Sequence, residues 1–271
     1  MLSADRVIGA VIVTLLLALP VVAQNPPQKS VQEMASEDPG TKKARMLLDQ
    51  MIQALGGQAF LNLQDMEQQG RSYAFYHGNP SGLGSLFWRF WKWPDKERFE
   101  LTKQRDVILI YNGDQGWEIT YKGTRTVDPE DLKEYLRARE YSLNNVLRVW
   151  LKQPDTALIY EGFGLTQDKQ VDKVTIINGK DEAVTISIDQ LTHLPVKKSY
   201  LVRDPVSREK DEMAEVYDNW RPEQGLNTAH TVLATRNGEI TRQRFIQTVS
   251  YNQGIPDSKF TASVTYVPKK K

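Results

Sequence analysis

The sequence predicts an α+β fold, mainly antiparallel β: a half-open curled barrel of about 11–12 strands with helices covering its concave face. Three observations carry this. Short aromatic and β-branched runs recur from about residue 66 to 250, broken by turn residues such as Pro94-Asp95, Asn112-Gly113 and Asn237-Gly238. Two stretches, near 41–55 and 129–152, have apolar residues at three- and four-residue spacing, the period of an amphipathic helix. Finally, Leu86 to Trp93 is apolar on both faces of a strand, with Trp88 and Phe90 on one side and Phe87, Trp91 and Trp93 on the other. A sheet with one wet face does not need that, so something must cover or occupy its second face.

In order along the chain, Gln24 to Gly40 is polar with three prolines and reads as a flexible lead-in. Thr41 opens a helix whose stripe is Ala44, Leu47, Leu48, Met51, Ile52 and Leu55, and Gly56-Gly57 ends it, since glycine takes the left-handed position after a helix cheaply. A short helical turn follows near 59–63. Strands are predicted at 66–76, 84–93, 97–103, 107–112 and 116–121, with short links that favour antiparallel neighbours. A single long helix is predicted over 129–152. Asp128 caps it, Pro129 suits its first position, and Glu130 and Asp131 suit the positive end of its dipole. Its stripe is Leu132, Leu136, Leu143, Val146, Leu147, Trp150 and Leu151, and Pro154 stops it. Strands resume at 156–161, 171–178, 183–189, 196–203, 212–219, 228–236 and 240–250, with Asn178-Gly179 and Asn237-Gly238 as hairpin signals. So long a sheet must curl, and packing both helices across the mouth of the curl buries their stripes. One domain over 41–266 is expected, followed by a basic tail at 267–271.

The N-terminus bears on compartment. Arg6, the apolar run Val7–Leu19 and the small residues before Gln24 read as a secretory signal cleaved after Ala23. The run is short of the roughly 20 residues that span a bilayer. The chain has no cysteine, which excludes disulfides, thiol catalysis and a lipid-modified cysteine. The net charge of +1 leaves no electrostatic footprint for nucleic acid.

Several segments resemble a known family. Gln53-Ala54-Leu55-Gly56-Gly57 at the end of the first helix, Trp93-Pro94-Asp95-Lys96-Glu97-Arg98-Phe99-Glu100 and Asn112-Gly113-Asp114-Gln115-Gly116-Trp117 are similar to the LolA-like periplasmic lipoprotein carriers. So are Leu191-Thr192-His193-Leu194-Pro195-Val196, Tyr217-Asp218-Asn219-Trp220-Arg221 and Gly225-Leu226. The resemblance covers about 41–266 through order and spacing rather than one diagnostic motif. It implies a half-open barrel with a helical lid over a hydrophobic cavity, a periplasmic monomer, and a lipid or acylated protein as ligand. A role in outer-membrane lipoprotein sorting, with a membrane-associated protein as donor or acceptor, goes with it. The family's lid-holding arginine has no assigned counterpart in this sequence.

The candidate cavity residues are Trp88, Phe90, Phe99, Leu101, Ile108, Ile110, Trp117 and Ile119 from the strands, with Leu136, Leu143 and Leu147 from the helix. Aromatic side chains offer a flexible alkyl chain much apolar area at little rotamer entropy. Signals for catalysis are weak. His77, His193 and His230 are scattered, none at metal-ligand spacing, and there is no Gly-x-Ser-x-Gly elbow. No metal, cofactor or nucleic acid is expected. The primary reading is a carrier of a lipid or acylated protein. The alternative is a lipid-sensing adaptor that reports occupancy to a protein partner. A hydrolase using a carboxylate pair, which needs no local motif, is the third.

Overall fold

The computed structural model describes residues 38–203 and 208–268. The expected signal segment 1–23, nearly all of the lead-in and the last three lysines lie outside these residues. Helix α1 (Pro39–Leu55) starts two residues before Thr41, because the Asp38 side chain caps it by accepting the Gly40 N–H at 2.9 Å. It ends at Gly56 and Gly57, both at positive φ, where the Gly57 N–H closes on the Ile52 carbonyl at 2.8 Å. The turn α2 (Gln58–Leu61) then buries Phe60.

The strands are β1 (Asp65–Tyr76), β2 (Asn79–Pro80), β3 (Ser85–Lys92), β4 (Lys96–Leu101), β5 (Val107–Asn112), β6 (Gln115–Thr120) and β7 (Gly123–Thr126). After a helical segment come β8 (Ala157–Thr166), β9 (Lys169–Ile177), β10 (Ala183–Asp189), β11 (Pro195–Arg203), β12 (Lys210–Glu223), β13 (Leu226–Arg236) and β14 (Glu239–Tyr251). They form one antiparallel sheet in the order β7-β6-β5-β4-β3-β1-β14-β13-β12-β11-β10-β9-β8, with β2 beside β1. The short β2 and β7 carry too few apolar residues to be anticipated. Asn237-Gly238 forms a two-residue turn with both residues at positive φ, as a tight hairpin requires. Asn178-Gly179 does not: the β9–β10 loop runs over 178–182, with the Asn178 Oδ1 accepting the Lys180 and Glu182 N–H groups at 3.0 Å. The asparagine serves as a loop acceptor there.

The single helix expected over 129–152 is broken. Helix α3 (Pro129–Glu140) stops at Tyr141, helix α4 (Leu143–Arg148) restarts behind Ser142, and a 3₁₀ turn follows at Trp150–Lys152. The Ser142 hydroxyl accepts the Asn145 N–H at 3.3 Å, and the Asn145 side chain returns to the Glu140 carbonyl at 2.7 Å. The stripe itself marks the break: Arg139 and Glu140 occupy the turn between Leu136 and Leu143 where a continuous stripe needs apolar residues.

The sheet order explains the helices. β7 and β8 are its two free edges, and α3 with α4 is the connection between them. A chain leaving one edge of an open curled sheet and rejoining the other must cross it. The main core lies on the crossed face. There α1 (Ala44, Leu47, Leu48, Met51), Val146 and Leu147 of α4, and Trp150 pack on Leu158, Val174, Ile176, Val184, Ile186 and Ile188 of β8–β10.

Candidate functional site

Cross-strand pairing assigns the two faces. Phe90, Arg98, Ile110 and Trp117 are paired in line across β3–β6, as are Trp88, Glu100, Ile108 and Ile119, so these eight share a face. It is the outer face, away from the helices. Phe90 and Ile110 are buried there with Ile255 and Phe260, and Trp88, Ile108, Trp117, Ile119 and Ala262 pack around them. The covering element is the chain's own C-terminal segment, 252–266. The Asp65 carboxylate accepts the N–H groups of Gln253, Gly254 and Ile255 at 2.7–3.1 Å. Lys92 and Lys96 hold Asp257 at 2.6 and 2.8 Å, and Thr124 pairs with Thr265. The second greasy face inferred from the sequence is therefore covered by this strap.

The candidate cavity residues thus do not line a single wall. Trp88, Phe90, Ile108, Ile110, Trp117 and Ile119 come together under the strap. Phe99 and Leu101 alternate with Arg98 and Glu100 and face inward with Arg89 and Phe87. Leu147 is sealed in the main core and Leu143 packs at its margin. Leu136 stays half-buried on α3, a helix with no fully buried residue. The reason for the split is the period-2 pleat, which sends neighbours in one strand to opposite faces.

The inner face has two halves. Over β8–β10 it is apolar and filled by α1, α4 and Trp150. Over β3, β4, β1, β14 and β12 its inward residues include Arg89, Glu97, Gln68, Arg242, Arg244 and Glu215. Helix α3 crosses this polar half, secured by ring stacks at its middle and just past its end: Tyr111–Tyr135 at 3.5 Å and Tyr141–Tyr200 at 4.2 Å between centroids. Near its end Arg139 donates to the carbonyls of Gly113 (2.6 Å) and Asp95 (3.3 Å), tying α3 to the β5–β6 and β3–β4 turns.

Beneath α3, Arg89 is ion-paired to Glu97 and donates to the Gln68 side chain at 3.2 Å. Burial, the Glu97 charge and a hydrogen bond to it push the Tyr135 hydroxyl far above its usual range. Further along, Glu215 receives Lys198 at 2.9 Å and the Tyr217 hydroxyl at 2.8 Å, with Arg244 at 4.0 Å. Burial alone would raise Glu215, but Lys198 and Arg244 outweigh it and hold the carboxyl well below the carboxylate range. The sequence pattern alone did not reveal this cluster. Its signal was available: Arg89 interrupts an aromatic run, and Arg242 and Arg244 sit two apart in a strand.

In sequence the chain matches no family model. No curated protein matches it either. Solved structures do match in shape. A protein of the DUF1329 family from Desulfovibrio piger superposes with a TM-score of 0.58 at 12% identity, over 82% of this chain and 97% of that one. A domain named for outer membrane lipoprotein sorting, from Vibrio parahaemolyticus, gives 0.55 at 9% identity, over 81% and 97%. The fold is the one these two structures share, an open curled antiparallel sheet with helices. A LolA superfamily protein from Nitrosomonas europaea is also found, at a TM-score of 0.49 and 12% identity over 81% and 97%.

Within this half-open barrel the buried carboxylates Asp65, Glu97, Glu100 and Asp172 are each engaged: by the strap N–H groups, by Arg89, by Arg98 with Arg105, and by the Tyr160 hydroxyl. Glu97 and Glu100 lie on opposite faces of β4. Among the described residues no group of three or more His, Asp or Glu side chains is placed to hold a metal ion. None of their helices is long and apolar enough to cross a membrane.

Proposed function

We propose that this protein binds and carries a hydrophobic ligand, a lipid or an acylated protein, in the cleft between α3 and the inner face of β3–β6. One observation carries the reading. α3 bridges the open barrel with its Leu132 and Leu136 only half-buried, and Phe99 and Leu101 on the inner face of β4 are half-buried as well. A helix kept only for stability would bury its stripe, since apolar area removed from water contributes about 25 cal/mol per Å². An alkyl chain slid beneath α3 gains that area instead. The name of the Vibrio neighbour, which refers to lipoprotein sorting, agrees with this chemistry. Delivery between membrane-associated partners in the periplasm is part of the same proposal, supported by the signal-like Arg6–Ala23 segment.

The test uses the exported protein purified without detergent. Organic extraction and mass spectrometry of the extract are expected to recover a stoichiometric acyl lipid, and the stripped protein is expected to take up a fluorescent alkyl probe. An empty extract together with no probe uptake would overturn the proposal.

A further inference from the structure

The inner face beneath α3 is not uniformly apolar. Arg89, Lys198, Arg242 and Arg244 outnumber Glu97 and Glu215 on its floor. Glu97 is taken by Arg89, and Glu215 by Lys198, which is 2% exposed and has no other compensating charge in contact. The helix above adds Arg137 and Glu134 near Tyr200, which cancel, and Asp131 near Tyr111, which still leaves the cations in excess. Arg244 is left with Glu215 at 4.0 Å, beyond hydrogen-bond length, and no side-chain hydrogen bond among the described residues, although its side chain is only 14% exposed. Arg242 pairs with Ala74 and Ala234 across its neighbouring strands, so no side-chain acceptor stands opposite it.

A guanidinium withdrawn from water without a bonded counter-charge is costly. Five N–H donors in a planar fork suit a carboxylate or phosphate. Burial, then repulsion from Arg242 and Arg89, pulls the Arg244 pKa down to about 9 against the opposing pull of Glu215 and Glu97. Val232, paired with Arg244 across β13–β14, is half-buried on the same face, so an anion and the start of an alkyl chain fit side by side there. We infer that Arg244, with Arg242 beside it, receives the anionic head group of the carried amphiphile, a carboxylate or phosphate joined to an alkyl chain. This rests on the carrier reading above and adds the class of its ligand.

The experiment is calorimetric titration of the full chain with decanoate, decyl phosphate and decanol below their micelle thresholds, and with inorganic phosphate. The parent protein is expected to bind the two anionic amphiphiles at least about tenfold more tightly than decanol, the scale of one charge-assisted pair. Arg244→Gln is expected to erase that preference, weakening the two anionic amphiphiles at least about tenfold more than decanol, and Arg244→Lys to retain part of it. Equal affinity for decanol and decanoate in the parent, or a preference that survives Arg244→Gln, overturns the head-group inference and leaves the carrier reading standing. Phosphate binding as tightly as decyl phosphate overturns it in favour of a free-anion site. No binding of any alkyl compound, decanol included, sinks the carrier reading itself.

Discussion

The carboxylate of Asp65, the first residue of β1, accepts the backbone N–H of Gly254 at 2.9 Å, across 189 residues of chain. With Gln253 and Ile255 bonded to the same group, this one side chain, 2% exposed, anchors the strap that converts an aromatic sheet face into core.

Asp65→Ala is therefore expected to release the strap and cost about 3 kcal/mol, the order for losing hydrogen bonds to a buried charge. Urea denaturation measures the loss. Dye binding to the newly exposed Phe90 face should rise with it; an unchanged midpoint would show the strap to be held otherwise.

Phe90→Ala tests the two faces. Phe90 and Ile110 are essentially inaccessible beneath Phe260, so truncation is expected to cost about 3–5 kcal/mol and leave alkyl-probe affinity unchanged. Phe99→Ala, on the inner face, should do the reverse: a smaller stability cost and weaker probe binding.

Arg139→Ala removes the ties from α3 to the Gly113 and Asp95 carbonyls. The stability loss should be about 1–2 kcal/mol. Amide exchange in 129–140 is expected to speed up, and probe dissociation with it, if α3 moves to admit ligand. Slower or unchanged exchange would mean that the ring stacks alone hold the helix.

A related test locks the cover. A Cβ built on Gly116 lies 3.2 Å from the Leu132 side chain, and the chain has no cysteine of its own. Gly116→Cys with Leu132→Cys, once oxidised, is expected to slow probe uptake at least about tenfold, with recovery on reduction. Equal uptake in both states would rule out entry beneath the start of α3.

For pH, Glu215 is the informative group. Its folded pKa lies below the ordinary value of 4.5, so the unfolded chain takes up the proton first as pH falls. The pair with Lys198 thus contributes stability that is fully present above about pH 4.5 and lost progressively below it. Glu215→Gln is expected to remove that acid limb. At neutral pH it should cost about 3–5 kcal/mol, because it leaves the buried Lys198 without a counter-charge.

Several elements were legible in the sequence because their causes are local. The stripe of α1, the Asp128-Pro129 start of α3 and the Asn237-Gly238 turn each depend on residues within a turn or two of one another. The α3–α4 break was legible too, in Arg139-Glu140, but a Leu136-to-Leu143 spacing of one heptad reads as continuous when only the apolar residues are followed. The cationic floor was not, because Arg89, Lys198 and Arg244 come from β3, β11 and β14 and meet only when the sheet curls.

The sequence by itself determined that β3 must be covered on both faces, since alternation of Trp88 and Phe90 with Phe87 and Trp91 follows from the strand period alone. Which face would hold the helices was decided only by the tertiary structure. A strand's two faces are equivalent until long-range partners break the symmetry, and here these are Asp65 with the strap on one side and the edge-to-edge crossing of α3 on the other.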